Sequence, residues 1–556
     1  MAESERPERK DPSEQHTVRR RMAETASGRR AADVSYPYFQ PQYEVPWLHI
    51  GTERQLFLDN FILDHLDGVV RVIPTPERPA APILDAQDHP WERSDRIWPA
   101  AALQDPDDGI YKLWYTQALV DDPFADRGMI LCYAESSDCR NWAKPVSDRC
   151  RPFEGCRETN IVLEDSGHHI ALVLNPDRSD PERKYLMVYN PGDRARAQGK
   201  RVMSTMLVSP DGLRWTEVNA DSPQRHHHFQ RAIWDESIQR WITYSQYSHH
   251  WNFNHRKRQI GRQESADFIH WSPKEVVLSA DWESRVPPHV EFHDMSVRKV
   301  GGLYIGIVTE FAAEPIWCFR GGNNWRDTAY ATLSLYCSRD GVRWQRASGE
   351  EPWAANGPPG SYDAGFIANS VAGQLVHGGK SYVLHGARHE KQHWYGHEPP
   401  RSPGDEESGI HPEEVFAAGA RERATLVADR RGLDHDDSTI SALILREEGW
   451  AQLRSEYETG RVITRQFVFE GDRLRLNADV CGGSIRVEVL DPMFRPYAGF
   501  ALELCDPLAG GPPDQVWHEV RWQGSGDVRP LWNKPVRLIF HLQHASIYAF
   551  EFAASE

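Results

Sequence analysis

The sequence predicts an all-β protein, a five-bladed β-propeller followed by a C-terminal β-sandwich. Three observations predict it. A turn element of the form S-x-D-x-x-x-W recurs along the first two thirds of the chain, ending at Trp142, Trp215, Trp271 and Trp344. Alternating or wholly apolar runs fill the intervals, with no convincing helical period between them. From about residue 459 the texture changes to short alternating segments separated by turn residues, the pattern of a sandwich of roughly 100 residues.

The chain opens MAESERPERKDPSEQHTVRRRM, a mixed-charge run with almost no apolar residues. Residues 1–35 are therefore expected to be a disordered tail, with neither the apolar stretch of a secretory signal nor the acid-poor composition of a transit peptide. The whole chain of 556 residues carries 64 basic against 81 acidic side chains, a net charge of -17. That balance offers no surplus of cations to displace phosphate counterions, so no nucleic-acid partner is expected. No run approaches the roughly 18 apolar residues of a membrane span. The 8 cysteines form no C-x-x-C, and reduced, mostly buried thiols in a cytoplasmic protein are the expectation, with the Cys150/Cys156 pair a weak exception.

The propeller is expected over residues 36–458. Each repeat begins with Ser137-Asp138, Ser209-Pro210-Asp211, Ser265-Ala266-Asp267 or Ser338-Arg339-Asp340; in the first, Ser136 takes the leading position. The Asp can cap backbone N–H groups of a tight turn, Gly212 and Gly341 supply a positive φ, and the Trp packs the hairpin onto its neighbour. A degenerate fifth copy ends at Trp450 after the run ISALIL. The long interval before it contains an insertion, residues 388–438, rich in His, Pro, Gly and charge. Within the insertion, HPEEVFAAGARERATLVADRR is the one segment with a helical signature, Pro412 standing at its first position and Glu413 and Glu414 in its first turn.

In a propeller the innermost strand of each blade lines an axial funnel, and the loop entering that strand supplies the groups facing a ligand. The corresponding segments are Trp91–Trp98, Asp165–His169, Arg225–His228, His289–Asp294 and Tyr362–Gly365, and every one holds an ionisable residue. The repeat aspartates Asp138, Asp211, Asp267 and Asp340 lie on outer turns and are assigned to structure, as are Asp107, Asp108 and Asp235. Cys132 and Cys337 are assigned to the core.

A propeller followed by a sandwich resembles glycoside hydrolase family 32, and the propeller alone is similar to families 43 and 130. The chain from about residue 50 looks like a family-32-like group on Leu56-Phe57-Leu58-Asp59, Pro181-Glu182-Arg183-Lys184-Tyr185, Gly302-Leu303-Tyr304-Ile305-Gly306, Asp363-Ala364-Gly365, Leu476-Asn477-Ala478-Asp479 and Val487-Glu488-Val489-Leu490-Asp491. The family's N-D-P, R-D-P and E-C motifs are not in their places, so no catalytic residue is carried over by motif.

What the resemblance implies is hydrolysis of a furanosidic or related glycosidic bond, a reaction that needs two carboxyl groups flanking the anomeric carbon, one protonated and one ionised. The pool is Asp95, Glu291, Asp294 and Asp363, with Glu291 the acid/base candidate and Asp95 or Asp363 its partner. Strict alternation would place His289, Glu291 and His293 on one face. Glu92, His169, His228, His289 and His293 are candidates for sugar hydroxyls, and Trp98 for stacking on a ring. Trp251, Trp91 and Trp394 are further aromatic candidates. No cofactor is expected, and the partner is a carbohydrate substrate. Two alternatives stay open: a metal-dependent hydrolase or lyase holding Zn, Fe or Mn on His169, His228, His289 and His293, and a carbohydrate-binding protein without catalysis. A phosphorylase variant would draw on Arg225 and Arg231.

Overall fold

The structure is a computed structural model that describes residues 47–86, 88–92, 97–119, 129–164, 166, 170–189, 204–222, 229–247, 258–282, 286, 290–312, 330–367, 372–389, 438–510 and 515–554. The fold is all-β. Blade one is Ile97–Gln104, Tyr111–Ala118, Met129–Ser136 and Ile161–Glu164; blade two is Ile170–Leu174, Tyr185–Tyr189, Ser204–Ser209 and Thr216–Ser222. Blade three is Phe229–Asp235, Arg240–Tyr247, Gln259–Ser265 and Glu275–Leu278; blade four is Val290–Val300, Leu303–Ala312, Tyr330–Ser338 and Gln345–Arg346. Blade five contains Gly373–His377, Lys380–Arg388 and Ser438–Arg446. Arg388 pairs with Ser438, so the expected insertion leaves and re-enters blade five at one rung. The helix expected within it lies outside the described residues, as does the expected tail.

The first strands of blades one and two, two and three, three and four, and five and one touch in turn. The two-residue strand Phe366–Ile367 bridges blades four and five, parallel to one and antiparallel to the other. The ring is closed by an early segment: Glu77 bridges Ile444 and Leu84 bridges Ile440, adding an outer edge to blade five from before blade one. Apolar residues from facing blades fill the seams, as Tyr115, Leu113 and Leu384 do between blades one and five.

Each recurrent turn is held as its sequence demands. Asp138 accepts from the N–H groups of Arg140 and Asn141, Asp211 from Leu213 and Arg214, Asp267 from Ile269 and His270, and Asp340 from Val342 and Arg343. Ser136, Ser209, Ser265 and Ser338 each accept from the Asp N–H two residues on. The residue after each Asp has a positive φ, whether Cys139 or Phe268, Gly212 or Gly341. The glycines stand where the preceding blade reaches into the turn. Trp114 Nε1 donates to the Gly212 carbonyl at 2.8 Å, and Tyr244 donates its hydroxyl to the Gly341 carbonyl at 2.7 Å.

The second module is a sandwich of two sheets. One orders Trp517–Glu519, Arg473–Asp479, Ser546–Ala553, Gln452–Ser455 and Val69–Val72; the other orders Leu63–Asp67, Thr459–Thr464, Arg537–Gln543, Ser484–Leu490 and Leu508–Ala509. Residues 48–72, which the sequence places at the head of the propeller, pair into this module. Leu48–Gly51 runs parallel to Phe467–Phe469, and Gln55–Leu56 pairs with Ser546–Ala553. The two modules meet at Glu448, which accepts from Arg54, Arg298 and Trp450 Nε1.

Seven described cysteines are free, with Cys150 buried and Cys156 exposed. No helix among the described residues is long and apolar enough to cross a membrane.

Candidate functional site

The first strands of the blades begin, and the second strands end, at the same end of the ring. Contacts across blades show these ends converging. Arg231, on the first strand of blade three, donates through Nη1 to the carbonyl of Ala100 in blade one, passing blade two. Gln246, at the end of a blade-three strand, donates to the His293 carbonyl of blade four at 3.3 Å. The Arg388 guanidinium of blade five lies 5.7 Å from the Trp98 ring centre of blade one.

Blade four brings the candidate chemistry to this end. Glu291 pairs with Phe311 and Asp294 with Thr309, and the register shifts between Phe292 and Asp294. This bulge corrects the strict alternation expected from sequence. Partners two apart on the neighbouring strand share a face, so Glu291 and Asp294 share one too, and His293 is the extra residue. Both carboxyl groups are buried, with 1% exposure at Glu291 and 2% at Asp294.

Arg258 meets Glu291 at both oxygens, by a hydrogen bond at one and an ion-pair contact at the other. The Arg258 backbone N–H donates to Oε2 at 3.0 Å, and Arg258 Nη1 lies 3.1 Å from Oε1. Asp294 accepts from the Thr309 hydroxyl at 2.9 Å and meets His293 Nδ1 at 2.7 Å. Burial first, and then the Arg258 charge, lower the His293 pKa, against the opposing pull of Asp294 and Glu291. Burial thus favours the neutral form of the ring. Burial pushes the Arg231 guanidinium down to about 9, against the attraction of Asp294.

The other candidates are placed differently. Asp363 is buried at 2% exposure, but its oxygens meet Arg78 Nη1 at 2.5 Å and the Ser361 hydroxyl at 2.7 Å. Arg78 belongs to the ring-closing segment, which makes Asp363 a tie between that segment and blade five. Glu92 accepts from Tyr115 at 2.9 Å and from the Asp88 and His89 N–H groups, and pairs with Lys144 at 2.8 Å. It is a fastener of blade one. Trp91 is buried and donates to Asn160. Trp98 is half-buried at the start of blade one. Asp95, His169, His228, His289, Trp251 and Trp394 lie outside the described residues. Among the described residues no three His, Cys, Asp or Glu side chains gather as a metal-binding group.

Sequence reasoning missed Arg258, Arg388 and Thr309. Arg258 stands just before the strand Gln259–Ser265 with no motif around it, and only the fold brings it to a carboxylate 33 positions away.

Solved structures similar to this chain include the Bombyx mori GH32 beta-fructofuranosidase BmSUC1, at 10% identity and a TM-score of 0.36, covering 85% of this chain and 94% of that one. Another is an N-acetylgalactosamine deacetylase from F. plautii in complex with blood group B trisaccharide, at 15% identity and a TM-score of 0.37, covering 68% of this chain and 94% of the other. A thermostable family-43 glycoside hydrolase is 14% identical, with a TM-score of 0.35, 53% of this chain and 85% of that one. The similar structures are thus glycoside hydrolases and related proteins, at low identity. No family model and no curated protein matches the chain.

Proposed function

We propose that the protein hydrolyses a furanosidic or related glycosidic bond at the blade-four end of the funnel, using Glu291 and Asp294. The observation that carries this reading is the bulge at His293, which turns two buried carboxyl groups to one face beside an imidazole and a guanidinium. Hydrolysis needs two such groups in unlike surroundings.

Their roles follow from what each touches. Glu291 accepts the Arg258 backbone N–H and lies beside its positive charge, the setting of an acceptor, and serves as the carboxylate that attacks the anomeric carbon or takes a proton from water. Asp294, held by His293 and Thr309, carries the proton that passes to the leaving oxygen. The balance is simple: water's oxygen ends on the anomeric carbon, one of its protons replaces the proton given to the leaving group, and the other stays on the new hydroxyl. This reverses the acid/base role expected of Glu291 from sequence and replaces Asp363 as its partner, while Asp95 stays a candidate for the same pair. Trp98 and Arg388 offer a flat surface for the sugar.

The test is turnover of sucrose and of p-nitrophenyl α-L-arabinofuranoside by the full chain, beside Glu291→Gln and Asp294→Asn. Activity lost in both variants supports the pair. Activity kept in either removes that residue from the chemistry.

A further inference from the structure

The start of the third strand of blade three is fastened to the first strand of blade four by one residue. Arg258 gives its backbone N–H to Glu291 Oε2 at 3.0 Å, and its carbonyl accepts the Phe292 N–H at 3.1 Å. Its guanidinium adds a contact at 3.1 Å to Glu291 Oε1 and lies 5.1 Å from the Phe311 ring centre. Phe311 is fully buried and pairs with Glu291 across the strands, and the His293 ring stacks on it at 5.9 Å. A guanidinium laid on an aromatic face loses freedom of rotation, so its charge stays beside the carboxylate. The carboxylate accepts a hydrogen bond from the backbone on one oxygen and lies in ion-pair contact with the guanidinium on the other.

We propose that Arg258 is the positioning residue of the site, setting the rotamer in which Glu291 presents its carboxylate to the substrate. The inference rests on the hydrolytic reading above. The backbone links do not depend on the side chain, so the blade seam survives its removal while the grip on Oε1 does not. A carboxylate held at Oε2 alone can swing about that one hydrogen bond and leave the attacking geometry, and a misplacement of about 1 Å can cost about 100-fold in rate. Among the described residues Glu291 meets Arg258 from blade three and pairs with Phe311 on the neighbouring strand, and its charge acts on the His293 ring. Among the described residues, Arg258 is the cation in ion-pair contact with it.

The experiment compares Arg258→Met and Arg258→Lys with the unmodified chain on sucrose and p-nitrophenyl α-L-arabinofuranoside. Arg258→Met is expected to lower kcat about 100-fold with KM within about 2-fold, and Arg258→Lys to recover part of the loss, because a point charge still meets one oxygen. A crystal structure of Arg258→Met gives a reading that needs no turnover: the Glu291 carboxylate should leave its place against residue 258. An unmoved carboxylate, or kcat unchanged in Arg258→Met, overturns the proposal. If Glu291→Gln is as active as the unmodified chain, the hydrolytic reading fails instead. Loss in Glu291→Gln beside full activity in Arg258→Met sinks the positioning role alone.

Discussion

Trp114 and Gly212 meet across the seam of blades one and two so closely that a methyl group on Gly212 would lie 2.6 Å from Trp114 Cζ2. The glycine also holds a φ of 78°. Gly212→Ala therefore has two penalties, a backbone conformation that L-residues avoid and an overlap with a fully buried indole. A loss of about 2 kcal/mol or more is expected, read as a fall in thermal midpoint. Gly341→Ala should behave alike, since the same methyl would lie 2.6 Å from the Tyr244 hydroxyl. Stability unchanged in both would remove this account of the repeat.

Glu448 joins the modules. It is 1% exposed and accepts from Arg54 of the early segment, Arg298 of blade four and Trp450 of blade five. Glu448→Ala takes away the acceptor these donors share, while Arg54 keeps Glu551, and the expected cost is about 2 kcal/mol. Differential scanning calorimetry reads it. A transition that stays single and unshifted would show that the cluster does not hold the modules together.

His385 gives the fold a dependence on pH. It is 1% exposed, its Nδ1 meets the Gly386 carbonyl at 2.9 Å, and burial holds its pKa down to about 4. The unfolded chain protonates this ring near its ordinary pKa of about 6.5, while the folded chain does not until about 4. The unfolded state therefore binds more protons in that window, so stability falls as pH is lowered from about 6.5 to 4, by up to about 1.4 kcal/mol per unit. His385→Phe should flatten that part of the curve of thermal midpoint against pH. An equal slope in the variant would assign the effect to other groups.

Asp363 separates structure from chemistry. Its ion pair with Arg78 fastens the ring-closing segment, so Asp363→Asn should lower the thermal midpoint and leave kcat within about 3-fold at temperatures where the fold persists. A loss of turnover of about 1,000-fold without destabilisation would return it to the catalytic pair.

The parts legible in the sequence were those whose partners are near in the chain. Asp267 caps N–H groups two and three residues on, so its turn is written in a few letters. The pairing of Leu48–Gly51 with Phe467–Phe469 is not, because a strand's partner leaves no trace in its own alternation. The same holds for the site. Glu291 stood out as an ionisable residue at a strand entrance, but the bulge that gives it Asp294 as a companion depends on the neighbouring strand. Asp363 looked equivalent until the fold brought Arg78 to it from 285 positions away.

The central claim is that the two blade-four carboxyl groups carry the chemistry. The most direct measurement is the initial rate of sucrose and p-nitrophenyl α-L-arabinofuranoside hydrolysis by Glu291→Gln, made on protein whose thermal midpoint matches the unmodified chain. A loss of about 1,000-fold or more in kcat is the expected result. A folded Glu291→Gln protein that hydrolyses the glycoside at the unmodified rate would contradict it.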